Sequence, residues 1–307
     1  MDLLDTVLAT ASVEGTVAAS LRAGDRWGLR LAEVPGAAFH AVTAGTALLT
    51  VEDSAPLRLM PGDAVLLPFG DSHVLASGPD VEVRDFDHVA AEQQIASGAE
   101  VVLGEGPAST RVICASYSVD PSANVNPFAG LPRLLHVSAL EAPSALRSSL
   151  ALVADELGAP GPGVRAVLDH VVNVVLIQML RVWIQDPNHP VGPASWLRGL
   201  ADPVTSSALG ELHRDPARAW TVDDLARRVG VSKATLSRRF ESEVGRPPGV
   251  YLTSWRMELA AQRLRRGTEP VAAVARAVGY RSEYAFNRAF ARYHGAPPGR
   301  FRASARR

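Results

Sequence analysis

The chain has 307 residues, 47% hydrophobic and 21% charged, a balance that excludes a disordered chain and suits about two globular domains. Its single cysteine, Cys114, excludes an intramolecular disulfide framework and any multi-cysteine zinc site. The net charge of −1 averages two unlike halves: residues 1–202 carry −12 with no lysine and residues 203–307 carry +11, an asymmetry that points the second half toward nucleic acid or an anionic surface.

The opening Met1-Asp2-Leu3-Leu4-Asp5 lacks the basic n-region and long apolar core of a secretion signal, so the cytoplasm is the expected location. Residues 27–120 read as short strands, among them Val65-Leu66-Leu67, Val81-Glu82-Val83 and Arg111-Val112-Ile113-Cys114. Turns at Pro61-Gly62, Gly70-Asp71, Gly78-Pro79 and Gly106-Pro107 bound them, which predicts a sandwich or barrel. Helices follow over Ser144–Leu157 and Val164–Gln185. The second is the most apolar stretch, but its longest uncharged run, His170 to Leu180, falls short of the ~20 residues of a membrane span. It is apolar on two faces, which predicts one face against the strands and the other against a second copy of the chain. Asp186 to Pro193 holds three prolines in eight residues and reads as a linker.

The basic half repeats itself. Leu225-Ala226-Arg227-Arg228-Val229-Gly230-Val231-Ser232 corresponds to Val274-Ala275-Arg276-Ala277-Val278-Gly279-Tyr280-Arg281 at an offset of 49; Arg238-Arg239-Phe240 and Gly245-Arg246-Pro247-Pro248 correspond to Arg288-Ala289-Phe290 and Gly295-Ala296-Pro297-Pro298 at an offset of 50. Each copy reads as helix, glycine turn, helix. In the first, Thr221 caps a helix whose stripe is Val222, Leu225, Ala226 and Val229. Gly230 then turns the chain and Ser232 caps the next helix. On that helix Leu236, Phe240 and Val244 face inward and Ala234, Ser237 and Arg238 outward. In the second copy Phe286, Phe290 and Tyr293 face inward and Tyr284, Asn287, Arg288 and Ala291 outward. Asn and Arg are matched to bidentate contacts with adenine and guanine edges in a major groove. Val250–Arg266 reads as one connecting helix of roughly 25 Å at 1.5 Å per residue, able to set two reading helices about a DNA turn apart. A basic domain for an acidic protein partner would explain the charge but not the duplication.

Thr221 to Arg302 resembles the AraC-type family of bacterial transcription regulators, most clearly in Val278-Gly279-Tyr280-Arg281-Ser282-Glu283-Tyr284-Ala285-Phe286-Asn287-Arg288-Ala289-Phe290 and the closing Pro297-Pro298-Gly299-Arg300-Phe301-Arg302. The resemblance implies that Ala234, Ser237 and Arg238, with Glu283, Tyr284, Asn287 and Arg288, face DNA. Ser232, Lys233, Thr235, Arg281 and Ser282, at the starts of the two helices, complete the expected contact set. Glu283 departs from the small or amide residues common at its position; an acid there repels phosphate but can accept from a cytosine amino group. With Cys114 as the one cysteine, the alkylation repair of some relatives is not expected.

In the acidic half, Gly62-Asp63-Ala64-Val65-Leu66-Leu67-Pro68-Phe69-Gly70-Asp71-Ser72-His73 fits G-x5-P-x-G-x2-H and resembles the second motif of the cupin barrels. Trp27-Gly28-Leu29-Arg30 and Phe39-His40-Ala41-Val42-Thr43-Ala44-Gly45 extend that likeness to the cupin sensor domains that precede AraC-type readers. The positions where first-motif metal ligands would fall are Ala32, Val34 and Ala38, none of which can ligate. His40 and His73 remain a candidate ligand pair, but two ligands rarely make a catalytic metal site, so a structural or effector-binding role is expected of them; His88 and His136 show no partner pattern, and Cys114 reads as a buried thiol.

The expected fold class is α+β in two domains. A cupin-like β-barrel with flanking helices covers residues 1–190, a linker 191–202, and an all-α double helix-turn-helix domain 203–307, with motifs near 221–245 and 270–295. The expected function is a sequence-specific DNA-binding transcription regulator controlled by an effector or stress signal. A cupin-type metal-dependent enzyme with a DNA-targeting tail and a sequence-neutral architectural DNA binder are the alternatives. No catalytic residue, metal or cofactor is expected. The expected partners are double-stranded promoter DNA, a small-molecule effector, RNA polymerase and a second copy of the chain, with no membrane.

Overall fold

A computed structural model describes residues 3–34, 36–52, 54–87, 100–120, 126–159, 161–186 and 192–304. His88 and most of the proline-rich linker lie outside the described residues. By contacts the chain divides into two compact units. One comprises Glu14–Val119 and Leu131–Pro190, the other Met1–Val13, Asp120–Gly130 and Val191–Arg307.

The first unit holds the strands, numbered in chain order: β1 (Glu14–Asp25), β2 (Gly28–Leu31), β3 (Ala37–Ala44), β4 (Ala47–Val51), β5 (Leu57–Leu59), β6 (Ala64–Leu67), β7 (His73–Ala76), β8 (Arg84–Asp85), β9 (Val101–Leu103), β10 (Glu105–Ser118) and β11 (Leu135–Val137). They form two sheets, ordered β11-β6-β3-β10-β1-β9 and β5-β4-β7-β2-β8. The strand-rich fold is as expected, but it is not a closed barrel. Closure needs continuous hydrogen bonding around the ring, whereas each sheet here ends on short edge strands of two or three residues.

The core lies between the sheets, where Leu21, Val42, Val65, Leu67 and Val112 of one meet Leu29, Leu49, Leu59 and Leu75 of the other. Alternation sends the opposite face of β3 the other way: Phe39 packs edge-on against Tyr117 at 6.4 Å. That second face is covered by helices α2 (Ser144–Gly158) and α3 (Val164–Gln185), which follow α1 (Leu3–Thr10) in chain order. Tyr117 donates its hydroxyl hydrogen to the Val172 carbonyl at 2.8 Å, and the Gly15 amide donates to Asn173 Oδ1 at 3.0 Å. By length and composition α3 could cross a bilayer, unlike the expectation drawn from its charges, but Leu168, Val172, Val175, Leu176, Met179, Leu180 and Trp183 are buried in the fold. Val167 and Val174, on its other face, are exposed.

Three local differences from the sequence reading have simple causes. β1 begins well before residue 27, because its Ala- and Gly-rich run has no clear alternation yet pairs with β10 from Glu14↔Ser118 to Asp25↔Glu105. Gly106-Pro107 lies inside β10 rather than ending it, since a register shift between Ala23 and Asp25 absorbs it as an irregularity. The strand expected at Val81–Val83 forms instead at Arg84–Asp85, as a short parallel edge beside β2.

Among its described residues, the second unit is all helical. After α1 come α4 (Trp196–Gly199), α5 (Pro203–Arg214), α6 (Val222–Arg228), α7 (Lys233–Val244), α8 (Pro248–Arg266), α9 (Val271–Ala277), α10 (Glu283–His294) and α11 (Pro298–Ser304). Asp202 caps α5 by accepting from the Thr205 amide at 2.8 Å, and Pro203 stands where its missing N–H costs nothing.

Candidate nucleic-acid interface

Each sequence repeat folds into a short helix, a glycine turn and a longer helix. In the first copy Thr221 Oγ1 accepts from the Asp224 amide at 3.0 Å and starts α6; Gly230 turns at φ +73°; Ser232 Oγ accepts from the Thr235 amide at 3.1 Å and starts α7; Gly245 ends it at φ +79°. In the second, Gly279 turns at φ +87°, Ser282 Oγ accepts from the Ala285 amide at 3.3 Å, and Gly295 ends α10 at φ +73°. Left-handed backbone at these four positions is why glycine recurs. The Asp224 carboxyl is held below the usual carboxylate range, first by the hydrogen bond from the Thr221 hydroxyl and then by Arg227.

The inner faces are fully buried. Leu236 and Phe240 anchor α7, with Phe240 edge-on to Tyr251 of α8 at 5.7 Å. Phe286 and Phe290 anchor α10 against Met257, Ala260, Ala261 and Leu264 of α8, Val274 of α9 and Val278 just after it. Tyr293, expected inward with them, is partly buried. The 19-residue α8 is thus a shared beam of roughly 28 Å.

The outer faces carry the expected contact residues. Ser232, Lys233, Ala234 and Arg238 are exposed, and Thr235 and Ser237 half-buried. Arg281, Ser282, Glu283, Tyr284 and Arg288 are exposed, and Asn287 half-buried. The Lys233 ammonium is paired with Asp223 at 2.8 Å. The Arg288 guanidinium stands over the Tyr284 ring at 5.8 Å, while that ring is 71% exposed, a large apolar surface to leave in water. Asn287 Oδ1 is covered and has no hydrogen-bond partner among the described residues.

In the first unit the fold brings His40 and His73 together, and it adds a residue that no sequence motif joins to them. His40 on β3 lies directly across from Cys114 on β10. Its Nδ1 is 3.1 Å from Cys114 Sγ and its Nε2 2.7 Å from His73 Nε2 on β7, so the histidine pair bridges the two sheets. His73 Nδ1 is 2.7 Å from the Asp71 carbonyl. A carbonyl only accepts, so His73 Nδ1 carries hydrogen and its Nε2, in neutral imidazole, accepts. His40 Nε2 must then donate, which leaves His40 Nδ1 to accept from the Cys114 thiol. One neutral proton arrangement satisfies the whole chain. Burial, and for His40 also the neighbouring His73, lowers the pKa of both imidazoles, and burial pushes the Cys114 thiol up. Arg133 grips both Asp71 carboxylate oxygens, at 3.0 and 3.2 Å, and fixes the turn that supplies the carbonyl. Among the described residues no three His, Cys, Asp or Glu side chains are grouped to hold a metal. Cross-strand pairing, invisible without strand register, joined Cys114 to the pair.

Residues 2–185 match the Cupin family and residues 225–304 the Helix-turn-helix domain family. The chain is 39% identical over 305 residues to an AraC-like transcription regulator of Streptomyces lividans, and 38% identical over 304 residues to one of Streptomyces antibioticus; each alignment covers 98% of both chains. It belongs to the AraC-type transcription regulators. A further relative, the transcriptional regulator AlkR of Acinetobacter baylyi, is 29% identical over 267 residues, 86% of each chain. As an AraC-type protein the chain is a DNA-binding transcription regulator with a cupin-like ligand-sensing domain.

Proposed function

We propose that α7 and α10 enter successive major-groove segments of promoter DNA and read base edges through Ala234, Ser237 and Arg238 in one and Glu283, Tyr284, Asn287 and Arg288 in the other. The supporting observation is one capped frame built twice on a shared helix, with different side chains on the two outer faces. Ser232, Lys233, Thr235, Arg281 and Ser282 sit at the helix starts, where backbone amides and positive charge suit phosphate. Lys233 must leave Asp223 to reach a phosphate and Asn287 must turn its covered oxygen outward to meet a base, whereas Arg288 brings a guanidinium already placed by Tyr284. Affinity falls steeply with salt because phosphate contacts release counterions.

In the same reading residues 203–307 form the reader and 1–190 the sensor, joined by 191–202, and the sensor takes a small-molecule effector near His40 and His73. It works without catalysis, in line with relatives named as transcription regulators. A second copy packs on the exposed Val167 and Val174 face of α3, RNA polymerase meets the exposed surface of the reader, and the protein works in the cytoplasm. Comparing transcripts of a deletion strain with wild type, then footprinting the most changed promoter, tests the assignment. A footprint of two segments one turn apart on one DNA face supports it; protection without sequence preference overturns it.

A further inference from the structure

β10 ends at Ser118, and soon after it Asp120 already belongs to the helical unit, together with Met1–Val13 and Val191–Arg307. There the Asp120 amide donates to the Ala11 carbonyl at 3.1 Å, just beyond the end of α1. Its carboxylate Oδ2 lies 3.3 Å from Arg265 Nε near the end of α8, and the two side chains are only 21% and 14% exposed. Gln262, three residues before Arg265 on the same side of α8, donates to the Ala9 carbonyl at 3.2 Å. An ion pair in open water contributes little. One this covered is costly to break, because the surviving charge is left without compensation.

Arg265 carries the contact to one helix-turn-helix copy. Its guanidinium stands 5.8 Å from the Phe301 ring of α11, and that ring meets Phe290 at 5.3 Å and His294 at 5.0 Å, both on α10. The first copy meets α8 elsewhere, where Phe240 packs on Tyr251, roughly 20 Å back along the helix. We propose that Asp120 is a positioning residue for the second reading helix. Its carboxylate holds Arg265 against the rings beneath α10, so the setting of α10, and not that of α7, depends on the segment that leaves β10. The effect on base reading rests on the assignment of α7 and α10 to DNA; the effect on α10 itself does not.

The test uses the full-length chain with three changes: Asp120→Asn keeps the shape and removes the charge, Asp120→Glu keeps the charge, and Gln262→Ala removes the neighbouring tie but leaves the pair. In the free protein, Asp120→Asn is expected to speed hydrogen exchange in α10 about fivefold relative to α7, within the range by which residues outside a site shift it. The other two variants are expected to stay near wild type. With selected duplexes altered in one segment or the other, Asp120→Asn is expected to lose preference in the segment that Arg288→Ala affects and to keep it in the Arg238 segment. Circular dichroism confirms folding; should Asp120→Asn not fold, Arg265→Gln, which removes the cation itself, takes its place with the same expectation. Unchanged exchange in α10, or equal quickening of α7 and α10, overturns the proposal whatever the DNA result. So does an Asp120→Glu effect as large as that of Asp120→Asn. The expected exchange pattern together with a wild-type chain that selects no two-segment motif overturns the DNA-reading assignment instead.

Discussion

The two helix-turn-helix copies share a frame and differ in almost everything placed on it. The first is entered through a threonine cap and two acids, and its exposed lysine is tied to one of those acids. The second is entered at Pro270 with no side-chain cap, and its interior is a stack of rings: Phe290 meets Phe286 at 5.6 Å, His294 at 4.4 Å and Phe301 at 5.3 Å. Outward, the first copy presents small and hydroxyl side chains beside Arg238, and the second presents the Arg288–Tyr284 pair with Asn287 and Glu283. What repeats is what the backbone demands, namely positive-φ glycines, serine caps and inward phenylalanines; what diverges is what a duplex would meet. Two different readers on one frame follow from that division of labour.

The largest test of the shared frame is removal of its anchors. Phe240→Ala and Phe290→Ala each delete a fully buried ring and are expected to cost about 3–5 kcal/mol. Hydrogen exchange should show each variant loosening its own copy first; equal loosening of both copies by either change would erase the distinction between them. Smaller, and outward, are Arg238→Ala and Arg288→Ala, each expected to weaken specific binding by roughly 1–3 kcal/mol and to relax preference in a different operator segment. Footprints of the two variants check this.

Glycine turns separate the copies further. Both Gly230 and Gly279 have positive φ, so alanine at either position is strained by about 1–2 kcal/mol. A Cβ at Gly230 meets nothing within 4 Å, but at Gly279 it would lie 2.5 Å from the Ala217 carbonyl oxygen. Gly279→Ala is therefore expected to lower the melting temperature clearly more than Gly230→Ala; equal losses would mean that the Ala217 segment yields freely.

At neutral pH the smallest effect is that of acid sensitivity, which grows only as the pH falls. His213 stacks on Trp255 at 4.1 Å, and burial pushes its imidazole down to about 3. The unfolded chain takes that proton near pH 6.5. Stability from this group is thus full above about pH 6.5 and falls as pH drops toward 3, by at most about 1.4 kcal/mol per pH unit. Burial also lowers His294 in the second copy, but a hydrogen bond to the Met257 carbonyl opposes the shift. His213→Gln should flatten the acid limb of a melting-temperature profile more than His294→Gln does.

Much of this frame was legible in the sequence. α3 matches its expected bounds, and α7 and α10 lie where caps and glycines placed them, because those signals act within a few residues. The sheets were less legible. β1 is rich in alanine and glycine, so no alternation announced it, and whether strands close into a barrel is decided by distant edges rather than by any one segment. The same reason hid the bond between Cys114 and His40, two residues 74 apart that meet only through strand register. Local chemistry reads well from sequence, and assembled chemistry does not.

The most direct test of two readers on one frame is selection of bound duplexes from a random pool by the wild-type chain, Arg238→Ala and Arg288→Ala. The account predicts a wild-type motif of two segments about 10 base pairs apart, with each variant losing preference in one segment and keeping it in the other. Recovery of no motif, or loss of the same positions by both variants, would contradict it.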